Sequence, residues 1–134
     1  MELTPMMKDV LSKKQAREMN PVVLAYVGDA VESLYTRTAL SASSDAKAHA
    51  LHVRASKIVN ATAQARRAEK ILSLLREEEH DIFRRARNSK INSSAKNAEL
   101  SDYKIATGLE AVYGYLYLTG DTERLREILS YIEI

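Results

Sequence analysis

The sequence predicts an all-α fold, and three observations carry that reading. Alanine occurs eighteen times and leucine fifteen, whereas glycine occurs four times and proline twice, a balance that favours helix almost throughout. No stretch alternates apolar and polar residues over the length of a strand. The few capping and breaking residues fall where a series of helices would start and stop. The 134 residues suit one domain, read as 1–134, with an N-terminal helix and link over about 1–19. A chain of this size buries about two-thirds of the surface its unfolded form exposes.

Taken in order, a short helix is expected over residues 5–14. Asn20 before Pro21 pairs an N-cap with a first helical residue, opening a helix to about Leu40. Residues 41–45 are a polar link whose Asp45 can cap a helix over 46–65. A further helical stretch, continuous with it or not, covers 66–75. Residues 77–87 begin with acids and end with arginines, as the helix dipole prefers. Residues 88–98 (NSKINSSAKNA) read as an exposed loop. Ser101 is expected to cap a helix reaching Thr119, with Gly120 as its C′ residue. Asp121 or Thr122 then starts a last helix to about Ile132. There is no internal repeat.

Composition excludes several classes. Without cysteine there is no disulfide framework, thiolate metal site or cysteine nucleophile. No apolar run approaches the ~20 residues that span a bilayer, and the first ten residues lack a signal-peptide layout. A soluble, cytoplasmic, non-membrane protein is expected.

Three glycines stand inside apolar helical runs: Gly28 in LAYVGDAV, and Gly108 and Gly114 in IATGLEAVYGYLYL. Each costs roughly 1 kcal/mol relative to alanine in a helix interior, so each points to close backbone approach or to a kink. The two helices are expected to be central and mutually packed. Each also carries a carboxylate among apolar neighbours, Asp29 and Glu110. A carboxylate there is solvated on an outer face, or it must be paired, hydrogen-bonded or metal-bound. Two on facing helices would attract a hard cation, Mg²⁺ above all, able to activate water for phosphodiester hydrolysis. Glu32, one turn beyond Asp29, either joins that site or forms a salt bridge. His49 and His52 are a weaker metal pair with no third ligand in view. Tyr113, Tyr115 and Tyr117 fan over different helix faces, as core or dimer-interface residues.

The formal net charge of +2 hides segregation. Residues 46–76 hold seven lysines and arginines against Glu69, and residues 84–104 hold six against Glu99 and Asp102. Between them lie Glu77, Glu78, Glu79 and Asp81. Basic blocks of this kind suit a phosphate backbone, although solvated helix faces look the same in sequence. The loop after Arg87, rich in Asn, Ser and Lys, is suited to reach phosphates and hydroxyls.

Together these runs resemble the endonuclease domain of the ribonuclease III family. LAYVGDAV resembles its Gly-Asp-Ala signature, RASKIVN (54–60) the helix that follows, and ATGLEAVYGYLYL its last catalytic helix, in matching order and spacing. The likeness covers about Asn20 to Ile132. It is greatest to the short bacterial branch, Mini-ribonuclease III, whose RNxK loop resembles Arg87–Lys90. The resemblance implies an all-α, homodimeric, Mg²⁺-dependent endoribonuclease that cleaves double-stranded RNA. It further implies precursor 23S ribosomal RNA as substrate, with a ribosomal protein on that precursor as a possible partner. Asp29 and Glu110 would be catalytic metal ligands, and Arg87, Asn88, Lys90, Lys96 and Asn97 would contact RNA.

Two departures from the wider family stand out. Its glutamate four residues before the Asp29 position is here Ala25, and its aspartate three before the Glu110 position is here Thr107. The short branch shares this reduced set. Glu32 or Asp102 could substitute for the missing carboxylates, and a non-catalytic RNA-binding dimer is the alternative reading. The double-stranded-RNA-binding domain of longer enzymes is not expected here, so the grip on RNA would fall to the catalytic domain.

Overall fold

The computed structural model describes residues 9–90 and 97–134, with Asn97 and Ala98 described as backbone alone. Every regular element among the described residues is helical. In chain order they are α1 (Lys13–Glu18), α2 (Pro21–Ser43), α3 (Ala48–Val59), α4 (Ala61–Ile71), a 3₁₀ turn (Leu72–Leu74), α5 (Glu77–Arg87), α6 (Asn97–Leu118) and α7 (Thr122–Leu129). The expected all-α fold is observed. No helix is long and apolar enough to cross a membrane among the described residues.

Local chemistry sets most boundaries. Asn20 caps α2 by accepting from the Val22 amide at 2.9 Å, and Pro21 is its first residue. Residues 77–87 form α5 as expected. Gly120 ends the sixth helix at φ 74°, the left-handed conformation that favours glycine. Asp121 caps α7 through the Arg124 amide.

Other boundaries differ from expectation. Residues 9–12 are not helical; α1 starts at Lys13, where Ser12 and Gln15 form a reciprocal capping box. Residues 5–8 lie outside the described residues. α2 runs on to Ser43, and Asp45 does not cap α3, which begins without a side-chain cap at Lys47. The expected 46–65 helix is broken at Asn60. That residue ends α3 in an extended conformation (ψ 159°) and caps α4 by accepting from the Ala63 amide at 2.9 Å. α6 begins at Asn97, so Ser101 lies inside it and the expected loop ends sooner. α7 stops at Leu129 rather than Ile132.

α6 is the central helix, with α2, α4, α5 and α7 packed around it, and α3 against α2 and α4. Its Leu109, Val112, Tyr113, Tyr115 and Leu116 join Leu24, Ile71, Ile82, Phe83, Leu125 and Leu129 in one core. The closest approach is the crossing of α2 and α6. A Cβ on Gly28 would overlap the backbone carbonyl of Glu110, and a Cβ on Gly114 that of Leu24. Because the obstacles are backbone, no side-chain rotation relieves them. Gly108 serves a different contact, against the ring and carbonyl of Phe83 on α5.

A second polar feature lies within the packed helices. Glu79 on α5 is fully buried. It receives Arg124 Nε at 2.9 Å and Nη2 at 2.7 Å, and its Oε1 also accepts from the Arg76 amide at 2.8 Å. Arg124 Nη2 donates as well to the Leu74 carbonyl. Burial pushes the Glu79 carboxyl up, but these hydrogen bonds and the arginine charge outweigh it and hold the pKa below 4.5.

Candidate active site

The glycine crossing decides where the site is. Gly28 rests on the backbone of Glu110, so the next residue of α2, Asp29, is placed beside the Glu110 side chain. The two carboxyl groups are near enough for the Asp29 carboxylate to act on Glu110. Asp29 is exposed and Glu110 half-buried, so the pair opens to solvent on one side. Burial, then the Asp29 carboxylate and the charge of Glu32, push the Glu110 pKa up to about 9. Two carboxylates this close repel one another, and a proton or a cation relieves the repulsion.

Behind the pair stands a third carboxylate. Glu32 is fully buried on α2. Its Oε1 accepts from the Gln64 amide at 2.7 Å, and the same nitrogen donates to Glu110 Oε2 at 3.3 Å. Arg67, one turn along α4, faces Glu32 Oε2 at 3.5 Å and donates from Nη2 to the Ile58 carbonyl at 2.9 Å. Burial pushes the Glu32 pKa up to about 7 against the opposing pull of Gln64 and Arg67. Glu32 Oε2, Arg67 Nη1 and the Tyr113 hydroxyl are buried without a hydrogen bond. This region is under-satisfied, unlike the Glu79–Arg124 pair.

The positions that carry carboxylates in the wider family are closed here. Ala25 is buried in the core, and Thr107 is buried with its hydroxyl donating to the Tyr103 carbonyl at 2.9 Å. Asp102 lines a cleft with Glu99, Tyr103 and the start of α4, and neither Asp29 nor Glu110 lines that cleft. Glu32 does reach the site, but from the buried side. His49 and His52 are both exposed. No group of three or more His, Cys, Asp or Glu arranged to hold a metal exists among the described residues. The donor set on offer is a pair of hard carboxylates open to water. That set fits Mg²⁺, which binds through one or two carboxylates and keeps several waters.

The expected RNA-contact residues divide. Arg87 ends α5, its guanidinium 5.7 Å from the Phe83 ring centroid and its Nε donating to Asn88 Oδ1 at 3.3 Å. Asn88 and Lys90 are exposed just beyond it. Lys96 lies outside the described residues. Asn97 is the first residue of α6, with its side chain outside the description. A further cleft rich in cations brings Lys57 of α3 and Arg66, Arg67 and Lys70 of α4 together with Tyr131 and Glu133 of the C-terminal segment.

Gln64 and Arg67 escape a reading of the sequence by motif. Their one signal is position: they fall on the face of α4 that also carries Ala68 and Ile71, and that face is buried. A polar residue at a core position needs a partner, and here the partners are the site carboxylates.

An all-helical fold with a carboxylate pair at the crossing of its two central helices and basic residues on its surface has the elements that metal-assisted phosphodiester cleavage requires. Comparison with known proteins narrows this reading. The Ribonuclease III domain model matches residues 22–121. Mini-ribonuclease 3 of a Thermoanaerobacter species is 47% identical over 122 residues, covering 91% of this chain and 86% of that protein. Mini-ribonuclease 3 of Clostridium tetani is 45% identical, covering 90% and 81%. A crystal structure of a Fusobacterium nucleatum protein superposes with a TM-score of 0.76 at 31% identity, covering 85% of this chain and 91% of that one. The chain belongs to the ribonuclease III family, a family of endoribonucleases.

Proposed function

We propose that this protein, as a single catalytic domain over residues 1–134, is a Mg²⁺-dependent endoribonuclease of double-stranded RNA. The observation that carries the reading is the Asp29–Glu110 pair, placed by the Gly28 contact and bearing a carboxyl pushed up to about 9. Asp29 and Glu110 would hold the ion. Mg²⁺ supplies Lewis-acid stabilisation of developing charge and lowers the pKa of water. The chain's own work is to orient these two carboxylates, back them with Gln64, and grip the duplex. Arg87, Asn88, Lys90, Lys96 and Asn97 would contact backbone phosphates and 2′-hydroxyls, because side chains cannot read the deep A-form major groove.

The functional form is a homodimer. Val23, Tyr26 and Leu34 of α2 are exposed, Tyr26 at 80%. Tyr26 and Leu34 line a largely apolar cleft with Tyr117 beside Asp29. A second copy seated there would cover this apolar surface and bring two carboxylate pairs to one duplex. In its cytoplasmic setting the substrate is the paired ends of precursor 23S ribosomal RNA, with a ribosomal protein on the precursor as a possible partner.

The test is incubation of a long RNA duplex with the protein in Mg²⁺ and in EDTA. Fragmentation in Mg²⁺ alone is expected. A mobility shift without cutting in Mg²⁺ would select the alternative, a non-catalytic RNA-binding dimer, which the absence of carboxylates at Ala25 and Thr107 leaves open.

A further inference from the structure

Gln64 is buried on α4 and carries no charge, yet its side-chain nitrogen is shared between carboxylates of two other helices. It donates to Glu32 Oε1 at 2.7 Å and to Glu110 Oε2 at 3.3 Å. Glu32 is in turn faced by Arg67 at 3.5 Å, and Arg67 is anchored on the Ile58 carbonyl of α3. Glu110 is thus held from the protein interior by a chain of groups rooted in α3 and α4, while Asp29 approaches it from α2. We propose that Gln64, itself held by Glu32, is a positioning residue that sets the orientation of the Glu110 carboxylate for a divalent cation. The inference rests on the reading of Asp29 and Glu110 as the ion-holding pair.

The residue type suits the task. A carboxylate has several acceptor sites, and one internal N–H on Oε2 restrains its plane while leaving acceptor capacity for an ion. A lysine in this place would add a positive charge that competes with the cation. A leucine would leave Glu110 free to turn and Glu32 without its short hydrogen bond. Glu32 adds negative charge close by, but it is fully buried and acts through Gln64.

The experiment compares wild-type protein with Gln64→Leu and Gln64→Asn. The readouts are Mn²⁺ affinity of the RNA-free protein, by titration with electron paramagnetic resonance, and the Mg²⁺ midpoint and KM for duplex cleavage. Groups that orient metal ligands typically change affinity by about 10- to 100-fold when removed. A loss of Mn²⁺ affinity in that range is expected in both variants, with a higher Mg²⁺ midpoint and an unchanged KM for RNA. Gln64→Asn keeps an uncharged amide but withdraws its nitrogen by one methylene from both Glu32 and Glu110, a smaller change than Gln64→Leu, so it tests the proposal even where Gln64→Leu does not fold. A folded Gln64→Asn with wild-type Mn²⁺ affinity and Mg²⁺ midpoint would overturn the proposal while leaving the ion-holding pair intact. Wild-type protein that binds no Mn²⁺ would overturn the pair itself, and this inference with it.

Discussion

Glu79 and Glu32 are both fully buried glutamates facing an arginine, yet their surroundings push them in opposite directions. Glu79 receives two nitrogens of Arg124 and the Arg76 amide, all within 2.9 Å, and its pKa lies below 4.5. Glu32 has one short hydrogen bond, an arginine at 3.5 Å and an oxygen with no hydrogen bond, and its pKa is pushed up to about 7. Its neighbour Glu110 is pushed further, to about 9. Desolvation opposes charge in every case; what differs is whether the chain supplies enough donors to overcome it. Where it does, between α5 and α7, the result is a fastening. Where it does not, at the α2–α6 crossing, Glu110 stands beside an exposed Asp29, and a cation from solvent can relieve the crowded charge. Carboxyl groups perturbed by burial and by a like charge cluster at functional sites.

The largest expected effect breaks that contrast on the functional side. Asp29→Asn removes one charge of the pair at an exposed position, so the fold and its thermal transition should persist. Duplex cleavage should fall by ~10³-fold or more, as for residues that act as one catalytic unit. Gel analysis of fragments beside a circular dichroism melt checks both, and retained turnover would contradict the role of Asp29.

Next is the fastening. Glu79→Ala leaves Arg124 buried with only the exposed Glu127 carboxylate and the Leu74 carbonyl to meet it; breaking a buried pair typically costs about 3–5 kcal/mol. Urea unfolding should show a loss of that size, whereas the loss for Asp29→Asn should be small.

A pH series sharpens the comparison further, because the two sites carry opposite signs. Glu79, depressed below 4.5, stabilises the fold above that pH, and its contribution is lost as pH falls through the folded-state pKa. Glu32 and Glu110 bind protons more tightly in the folded state. Their cost is absent below 4.5 and grows as pH rises toward about 7 and about 9 respectively. In metal-free protein, Glu110→Gln should therefore become more stable relative to wild type as pH rises across that window. Glu79→Gln should be most destabilised at neutral pH and converge on wild type in acid. Denaturant midpoints at several pH values decide between these slopes.

The smallest effect concerns cations that lie outside the interior. Arg124 and Arg67 are committed to interior carboxylates, whereas Lys90 is exposed and Arg87 half-exposed on the Phe83 ring. Replacing Arg87 and Lys90 by alanine should weaken duplex binding several-fold and lower the slope of log affinity against log salt by about 1 per lost phosphate contact. Filter binding at a series of salt concentrations measures it.

How much of this was legible in the sequence depends on how local the signal is. Asn20–Pro21, the 77–87 charge gradient, Gly120 and Asp121 each act within one turn of helix, and each boundary they announce is present. Asn60 hid among alanines that would continue a helix, so one expected helix became two. Ser101 looked like a cap, but α6 already extends four residues before it. Asp29 and Glu110 showed themselves as charges in apolar runs beside glycine, since the same close contact that demands glycine also brings the carboxylates together. Gln64 was invisible for the converse reason: its partners lie 32 and 46 residues away in sequence, and nothing in its own run of ATAQARR requires them. The acidic run 77–81 likewise gave no sign that Glu79 is paired in the interior with Arg124.

Calorimetric titration of a divalent ion into metal-free protein, wild type beside Asp29→Asn, tests the central claim most directly. Binding by wild-type protein that is abolished in Asp29→Asn, with both proteins folded, is the predicted result. Equal binding by the two would contradict the assignment of the α2–α6 carboxylate pair as the ion site.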